Sequence, residues 1–240
     1  MNLLGTGHHA LWATPLSVFR WEEAPAVQAL LVRVLQALRL GHEARSGVDT
    51  SLPRSAFFAS DDDLVQRIQL PEWQRLLRFI VQSVGEAAKQ ANAGVWPVEG
   101  LDLQVAIEGM WFQISRGGAF HDVHTHGNCS WSGVYCVQVD PPQQRARHPA
   151  WGAHNGVTRF YGPRFERLGG AHMDAGNAYL QAAHVDVEPV EGQLVVFPAW
   201  LPHQAMPYDG EAERIIISFN ASVHVRSGGD RLPGQAYAAR

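Results

Sequence analysis

The part of the chain from Leu101 to Val225 is divided into short runs of β-branched and aromatic residues, separated by Gly, Pro and Asp. The runs are LDLQVAIEGMWFQI, WSGVYCVQV, GVTRFYG, AAHVDVEPV, GQLVVFP and ERIIISFNASVHV. Many short strands of this kind bury their apolar faces in a sandwich or a closed barrel. The sequence therefore predicts a β-rich core over residues 101–226.

The first 100 residues predict one short strand and two supporting helices. TPLSVFRW alternates like a strand, whereas VQALLVRVLQALRL and LPEWQRLLRFIVQSVGEAAKQAN carry apolar residues at helical spacing. Pro71, near the start of the second run, is typical of a helix N-terminus. We predict one α+β, mainly β, domain over residues 1–240. In it, residues 1–100 brace the core and residues 227–240 form a loose tail.

Charge and cysteine usage restrict the partners and the compartment. A formal net charge of -4 argues against nucleic acid or an anionic membrane as partner. No segment reaches the roughly 18 apolar residues of a membrane span, and the N-terminus lacks a basic leader. Cys129 and Cys136 are seven residues apart, which on one strand directs them to opposite faces and argues against a disulfide. We expect a soluble, cytoplasmic protein.

The stretch HDVHTHGNCSWSGVY, residues 121–135, contains three histidines and an aspartate within its first six residues. Residues two apart on a strand face the same side. Asp122 with His124, or His124 with His126, could therefore chelate one metal ion such as iron, zinc or manganese. A polar turn that is only histidine-rich is the alternative that this stretch leaves open.

A second candidate region is WLPHQAMPYDGEAERIIISFN, residues 200–220. Asp209-Gly210 predicts a hairpin loop, which would place His203 opposite Ile216. Arg214 would then be the diagonal neighbour of His203, with Cβ atoms roughly 7–8 Å apart. The residues predicted to share the face of His203 are Arg214, Ile216, Ser218 and Asn220, and those on the packed face are Ile215, Ile217 and Phe219.

Arg214 lies among apolar residues, and an arginine in such surroundings needs a carboxylate partner. No acidic residue has matching parity on its strand. A dicarboxylic 2-oxo acid could chelate the metal through its keto-carboxylate end and reach Arg214 with its distal carboxylate. The alternatives are a surface pair of Arg214 with Glu211 or Glu213, and a His203 that belongs to the rim without binding metal.

Three segments resemble the 2-oxoglutarate- and Fe(II)-dependent oxygenases of the prolyl-hydroxylase-like superfamily. They are HTHGNCSWSGVYC, EGQLVVFPAWLPHQAMP and ERIIISFN. Their order and the eleven-residue step from His203 to Arg214 match the superfamily pattern. TPLSVFRW and LPEWQRLL also resemble this branch, so the resemblance covers most of the chain. It implies a double-stranded β-helix, or jelly roll, with Fe(II) and 2-oxoglutarate as cofactors.

The resemblance assigns His124 and His203 to the first and last metal-ligand positions, and Arg214 to the distal carboxylate of 2-oxoglutarate. The middle ligand, usually Asp or Glu in the superfamily, is His126 here, and Asp122 is the alternative carboxylate ligand. A serine often follows two residues after the arginine, but this chain has Ile216 there. The further candidates for cosubstrate binding are Ser218, Tyr135 and Asn220.

The activity that the resemblance implies is a dioxygenase reaction, with a hydroxylation as the simplest outcome and with succinate and CO2 as coproducts. The candidate pocket walls are Trp111, Phe112, Trp131 and Tyr135, and the candidate substrate rim is the segment Pro141–Ala183 with Arg159, Tyr161, Arg164 and His172, followed by His184. One alternative is a cupin-like three-histidine metalloenzyme that uses no 2-oxo acid. The other is a metal-bearing binding module without catalysis.

Overall fold

The computed structural model describes residues 13–47, 55–96, 100–162 and 183–227. The helices are α1 (Ala24–Arg45), α2 (Leu64–Arg67), α3 (Pro71–Ala91) and α4 (Pro142–Arg145), with a 3-10 turn at Gly152–His154. The strands are β1 (Ser17–Arg20), β2 (Phe57–Ala59), β3 (Asp102–Ser115), β4 (Ala119–His124), β5 (Trp131–Gln138), β6 (Thr158–Tyr161), β7 (His184–Val187), β8 (Gln193–Pro198), β9 (His203–Tyr208) and β10 (Arg214–Ser227). Every strand run expected from the sequence is present.

The strands form two antiparallel sheets. The major sheet has the order β1-β8-β5-β10-β3-β2, and the minor sheet has the order β4-β9-β6-β7. From β3 onward the chain passes back and forth between the two sheets, which is the winding of a double-stranded β-helix. The jelly roll implied by the resemblance is therefore confirmed, and apolar residues of the two sheets meet in a cluster that contains Phe160 and Phe197.

Helices α1 and α3 cover the outer face of the major sheet, as the sequence predicts. Leu31 and Leu35 of α1 join the same buried cluster as Trp73 of α3. This cluster also contains Ile217 and Phe219 of β10, so their predicted packed face points to the helices. Pro71 is at the start of α3, where its missing N–H leaves no helical hydrogen bond unmade.

The predicted hairpin between β9 and β10 is wrong. β9 pairs with β4 and β6 in the minor sheet, whereas β10 pairs with β3 and β5 in the major sheet. Residues 209–213 instead form an arch, because the buried Asp140 carboxylate accepts hydrogen bonds from the backbone N–H groups of Glu211 (2.7 Å) and Ala212 (3.0 Å). The Tyr208 hydroxyl also donates to the Ala212 carbonyl at 2.7 Å.

Other expectations concern the cysteines, the chain ends and the membrane. Cys129 and Cys136 are both free, and Cys136 is buried. The tail beyond residue 227 lies outside the described residues, as does 163–182 of the predicted rim. In the described part of the chain, no helix has both the length and the apolar character needed to cross a membrane.

Candidate metal centre

Three histidines meet at one end of the minor sheet. His124 ends β4 and lies opposite His203, the first residue of β9. His126 is held beside them because its backbone N–H donates to the Ala199 carbonyl at 2.9 Å. One ligand nitrogen from each of the three lies within 4.8 Å of the others, and the Nε2 atoms of His126 and His203 are 3.3 Å apart. Within the described ranges, this trio is the group whose donor atoms could hold a metal ion.

Backbone carbonyls orient two of the three rings. The Nδ1 atom of His124 lies 2.7 Å from the Asp122 carbonyl, and that of His203 lies 3.0 Å from the Leu201 carbonyl. A carbonyl oxygen only accepts, so each Nδ1 carries the proton and donates it. Each Nε2 atom keeps its lone pair, which is the arrangement typical of a metal-binding histidine.

The protein keeps the inner histidines neutral. Burial, and to a smaller extent the neighbouring imidazoles, lower the pKa of His203 to about 3 and the pKa of His126 to about 4. The Leu201 carbonyl opposes this effect at His203 by favouring the protonated ring. A metal ion binds the unprotonated nitrogen, so both rings are in their ligating form at neutral pH.

Arg214 is 2% exposed, and it lines the cavity between the two sheets into which the histidines also project. The residues lining this cavity are Trp111, Gln113, His121, His124, His126, Gly133, Val134, Thr158, His203, Ala205, Arg214, Ile216 and Ser218. Among the described residues, no carboxylate forms an ion pair with Arg214, and its Nε atom has no hydrogen-bond partner. Burial lowers the pKa of this guanidinium, with the Cys136 and Tyr208 side chains opposing the shift.

The surface pair considered for Arg214 is not present. Glu213 contacts Arg39 at 3.4 Å and accepts a hydrogen bond from Gln36, on the helix side of the sheet. The arginine therefore faces the cavity with its charge uncompensated by a described acidic residue, as the sequence argument required.

Asp122, the alternative metal ligand, is exposed and lies outside the histidine group. Its carboxylate Oδ1 atom accepts a hydrogen bond from the Val123 backbone N–H at 2.7 Å. Its contribution to the site is its carbonyl, which orients His124. The geometry therefore brings His126, and not Asp122, to the two other candidate ligands.

Tyr135 was expected beside the pocket, and this placement is wrong. Its side chain is fully buried on the helix side of β5, where it meets Trp21 edge-on and donates to the Gln28 amide oxygen at 3.3 Å. Burial raises the pKa of its hydroxyl. Phe112 and Trp131 belong to the same helix-side core, so Trp111 is the candidate wall residue that lines the cavity.

Ser218 lines the cavity as expected, but Asn220 does not. The Asn220 amide oxygen accepts a hydrogen bond from the Ser132 hydroxyl at 2.8 Å, one pleat beyond Ser218. In the predicted rim, Arg159 is engaged by Asp186 at 2.7 Å. Arg164 and His172 lie outside the described residues.

Among the polar residues that line the cavity, three were missed by the sequence argument: His121, Gln113 and Thr158. The pairing of β4 with β9 is irregular on both sides of His121, which places its ring 4.1 Å from that of His124. Such bulges leave no reliable trace in a sequence. Gln113 and Thr158 could have been identified from the sequence, because each is a polar residue within an apolar strand segment.

Comparisons with known proteins address the family and the fold. Residues 109–220 match the family model described as "Putative 2OG-Fe(II) oxygenase". No curated protein matches the chain. The epimerase SnoN from nogalamycin biosynthesis, in complex with Fe3+, alpha ketoglutarate and nogalamycin RO, is 13% identical, with 92% of this chain and 86% of that chain covered and a TM-score of 0.53.

Two further solved structures are less similar in shape. A Pseudomonas putida prolyl-4-hydroxylase is 18% identical, with 87% of this chain and 93% of that chain covered and a TM-score of 0.46. HygX from Streptomyces hygroscopicus, with nickel and 2-oxoglutarate bound, is 11% identical, with 87% and 83% covered and a TM-score of 0.49.

The family match spans β3 from Gly109 to β10 at Asn220, and it includes the three histidines and Arg214. The SnoN structure shares the double-stranded β-helix at low identity and therefore supports the fold. Over residues 109–220, this chain is therefore similar to the 2OG-Fe(II) oxygenases that the family model describes.

Proposed function

We propose that the protein is a non-haem Fe(II), 2-oxoglutarate-dependent dioxygenase that hydroxylates a C–H bond of an organic substrate. The observation that carries this proposal is the meeting, in one cavity, of three histidines with a buried arginine that lacks a carboxylate partner among the described residues. In such a reaction one oxygen atom of dioxygen enters the substrate and the other enters succinate, while 2-oxoglutarate loses CO2.

The histidines fit a transition-metal ion. For metal–nitrogen bonds of about 2.1 Å, two nitrogens bound to the same ion lie about 3.0–3.4 Å apart, in agreement with the 3.3 Å between His126 and His203. Three protein ligands on one side leave positions for a chelating cosubstrate and for dioxygen. His124, His126 and His203 would hold the iron, and bound iron with 2-oxoglutarate supplies the oxidation of the substrate.

Arg214 fits the distal carboxylate of the cosubstrate. A guanidinium without an acidic partner is costly to bury, and here Arg145 adds repulsion. An incoming carboxylate offsets this cost with charge-assisted hydrogen bonds. Three neutral polar side chains also line this cavity and offer further hydrogen bonds: Ser218 on β10, Gln113 on β3 and Thr158 on β6. We assign the orientation of 2-oxoglutarate to Arg214 with these three side chains.

Neutral ligands change the charge of the centre. The usual facial triad of two histidines and one carboxylate carries one negative charge, whereas three imidazoles carry none. With Arg214 bound to the distal carboxylate, a divalent ion, the guanidinium and a dianionic cosubstrate then leave one positive charge in total, which the carboxylate of the usual triad would cancel. A cupin-like activity without 2-oxoglutarate shares the three histidines but leaves the buried Arg214 without a function.

The test is an anaerobic titration of the Fe(II)-loaded protein with 2-oxoglutarate, in which the visible charge-transfer band of a chelated 2-oxo acid is recorded. We expect a saturable band in the wild-type protein and a large loss of 2-oxoglutarate affinity in Arg214→Gln, with iron still bound. Iron binding without a band would refute the use of 2-oxoglutarate, keep the three-histidine site and favour the cupin-like alternative. Normal 2-oxoglutarate affinity in Arg214→Gln would refute the role of the arginine, and absence of tight iron would refute the metal site.

A further inference from the structure

The open end of the cavity carries a row of polar groups that the proposed reaction has not yet used. On β10, Asn220 is two residues beyond Ser218, so both side chains face the cavity side of the major sheet. Ser132 on β5 and Gly109 on β3 are the direct neighbours of Asn220 on either side. The row therefore lies one pleat outward from Trp111, Ser218 and Val134, which line the cavity itself.

Because Gly109 has no side chain, the side chain of Asp62 occupies the space above it. A Cβ atom on Gly109 would lie 3.3 Å from the Oδ2 atom and 3.4 Å from the Cβ atom of Asp62. That hypothetical atom would point to the same face as Trp111, since the two residues are two apart on a regular part of β3. The Asp62 carboxylate thus occupies the space over Gly109, next to Trp111.

The backbone holds Asp62 in this position. Its carbonyl accepts a hydrogen bond from the Met110 N–H at 2.8 Å, and Asp63 forms a parallel bridge with Met110. Ser60, two residues before Asp62, is also hydrogen-bonded to β3, because its backbone N–H donates to the Phe112 carbonyl at 3.0 Å. The Ser60 hydroxyl in turn accepts a hydrogen bond from the Phe112 N–H at 3.1 Å, so the segment is attached to the edge of the major sheet.

The charge of Asp62 has no counterpart within the described ranges. Neither a hydrogen bond nor an ion pair engages its carboxylate there, and the nearby Arg67 contacts Asp63 at 3.5 Å. The Asn220 amide oxygen accepts from Ser132, and its N–H groups have no hydrogen-bond partner among the described residues. Trp111, whose ring centre is 5.9 Å from that of His126, adds an aromatic face that attracts cations.

We propose that this row selects a substrate that carries a protonated amine or a guanidinium, with Asp62 as the specificity-determining residue. Successive residues on one strand face are about 6.6 Å apart. The cationic group would therefore bind between the Asp62 carboxylate and the Trp111 ring, and the adjoining carbon would extend toward the histidines. This inference rests on the proposed function, since it concerns the substrate of that same centre.

The test uses the anaerobic protein loaded with Fe(II) and 2-oxoglutarate, and two matched pairs of probes. N-acetyl-L-lysine methylamide is compared with the neutral N-acetyl-L-norleucine methylamide, and N-acetyl-L-arginine methylamide with its citrulline counterpart. Affinities are measured by calorimetry. We expect at least one cationic probe to bind the wild-type protein ten or more times as tightly as its neutral partner, which corresponds to about 1.4 kcal/mol.

Two variants separate a contact with Asp62 from a general effect of negative charge. Asp62→Asn should reduce the preference to less than threefold while the 2-oxoglutarate band and the melting temperature remain as in the wild type. Asp61→Asn removes the same charge from the adjacent exposed residue and should keep the preference. Equal affinity for charged and neutral probes, an unchanged preference in Asp62→Asn, or no binding of either cationic probe at 50 mM would overturn the proposal.

The proposed function fails in a different way. If neither the wild-type protein nor the variants form the 2-oxoglutarate band, the assignment of the centre is wrong. If the band forms normally and only the preference for cationic probes is missing, the substrate inference alone is wrong.

Discussion

The Nε2 atoms of His126 and His203 lie 3.3 Å apart, although the two residues are 77 positions apart in the chain. The pairing of β4 with β9 and the hydrogen bond from His126 to Ala199 produce this proximity. The two neutral rings contact each other through these nitrogens, a placement in which both could bind one metal ion.

His126→Ala should therefore weaken metal binding far more than Asp122→Ala. We expect a loss of at least about 100-fold in Fe(II) or Co(II) affinity for His126→Ala, because losing a ligand costs more than the 10–100-fold effect of an outer-shell partner. Asp122→Ala keeps the carbonyl that orients His124 and should change the affinity by less than about threefold, because the exposed carboxylate that it removes interacts only weakly through solvent. Anaerobic calorimetry measures both. A larger loss in Asp122→Ala than in His126→Ala would transfer the ligand role to Asp122.

Thr158→Val should weaken 2-oxoglutarate binding by about 10–150-fold, the equivalent of one hydrogen bond to a charged group. Valine has the same shape and lacks only the hydroxyl, and Thr158 is buried in the cavity wall. The charge-transfer titration measures the affinity. Tyr135→Phe serves as the matched control, because the Tyr135 hydroxyl faces the helices and its removal should leave the affinity unchanged. The reverse result would return Tyr135 to the cosubstrate site.

Asp140→Ala should destabilise the arch between β9 and β10. The buried Asp140 carboxylate accepts from two partly buried backbone N–H groups, those of Glu211 and Ala212, and each hydrogen bond to a charged group contributes about 1.5–3 kcal/mol. We expect the free energy of unfolding to fall by about 2–4 kcal/mol in urea denaturation. Asp209→Ala, which removes an exposed carboxylate from the same arch, should change it by less than about 0.5 kcal/mol. Equal effects would contradict the anchoring role of Asp140.

The apoprotein should lose stability as the pH falls from 7 toward 5. His203 and His126 have folded-state pKa values of about 3 and about 4, and both titrate near 6.5 in the unfolded chain. Below pH 6.5 the unfolded state therefore binds protons that the folded state does not bind. The contribution of the two histidines to the free energy of unfolding is fully present above this pH and is lost progressively below it. Each group contributes at most about 1.4 kcal/mol per pH unit, and the partly exposed His126 contributes less.

Urea denaturation of the metal-free protein at pH 7.5, 6.5 and 5.5 measures this decline. His126→Gln should show a shallower decline than the wild type, because glutamine does not titrate. Parallel curves for the two proteins would show that His126 does not contribute to the decline.

The sequence predicted the elements of this fold better than their pairing. Periodicity identified α3 from Trp73 onward and assigned the two faces of β10 correctly, since Ile217 is in the helix-side core and Ser218 is in the cavity. The hairpin prediction at Asp209-Gly210 was wrong because the turn motif carries no information about Asp140, which is about 70 residues away and binds the same backbone. Long-range partners of this kind decide sheet topology.

The candidate site was predictable where residues alternate regularly along a strand, and not elsewhere. Both faces of the major sheet are buried, one by helices and the other by the minor sheet, so the run WSGVYCVQV shows no clear polar side. That is why the side chain of Tyr135 was expected on the wrong face. His121 reaches the cavity only through irregular pairing of β4, and Asp62 reaches the mouth only because Gly109 lacks a side chain.

The arch between β9 and β10 also has a mechanical consequence. It sends His203 and Arg214, eleven residues apart, to opposite walls of the cavity, one in each sheet. A molecule that chelates a metal ion near His203 and binds Arg214 at its other end would then bridge the two sheets of the jelly roll. Binding of such a molecule would restrict the movement of the two sheets relative to each other. The protein should therefore be most rigid with the cosubstrate bound and least rigid after the coproduct has dissociated.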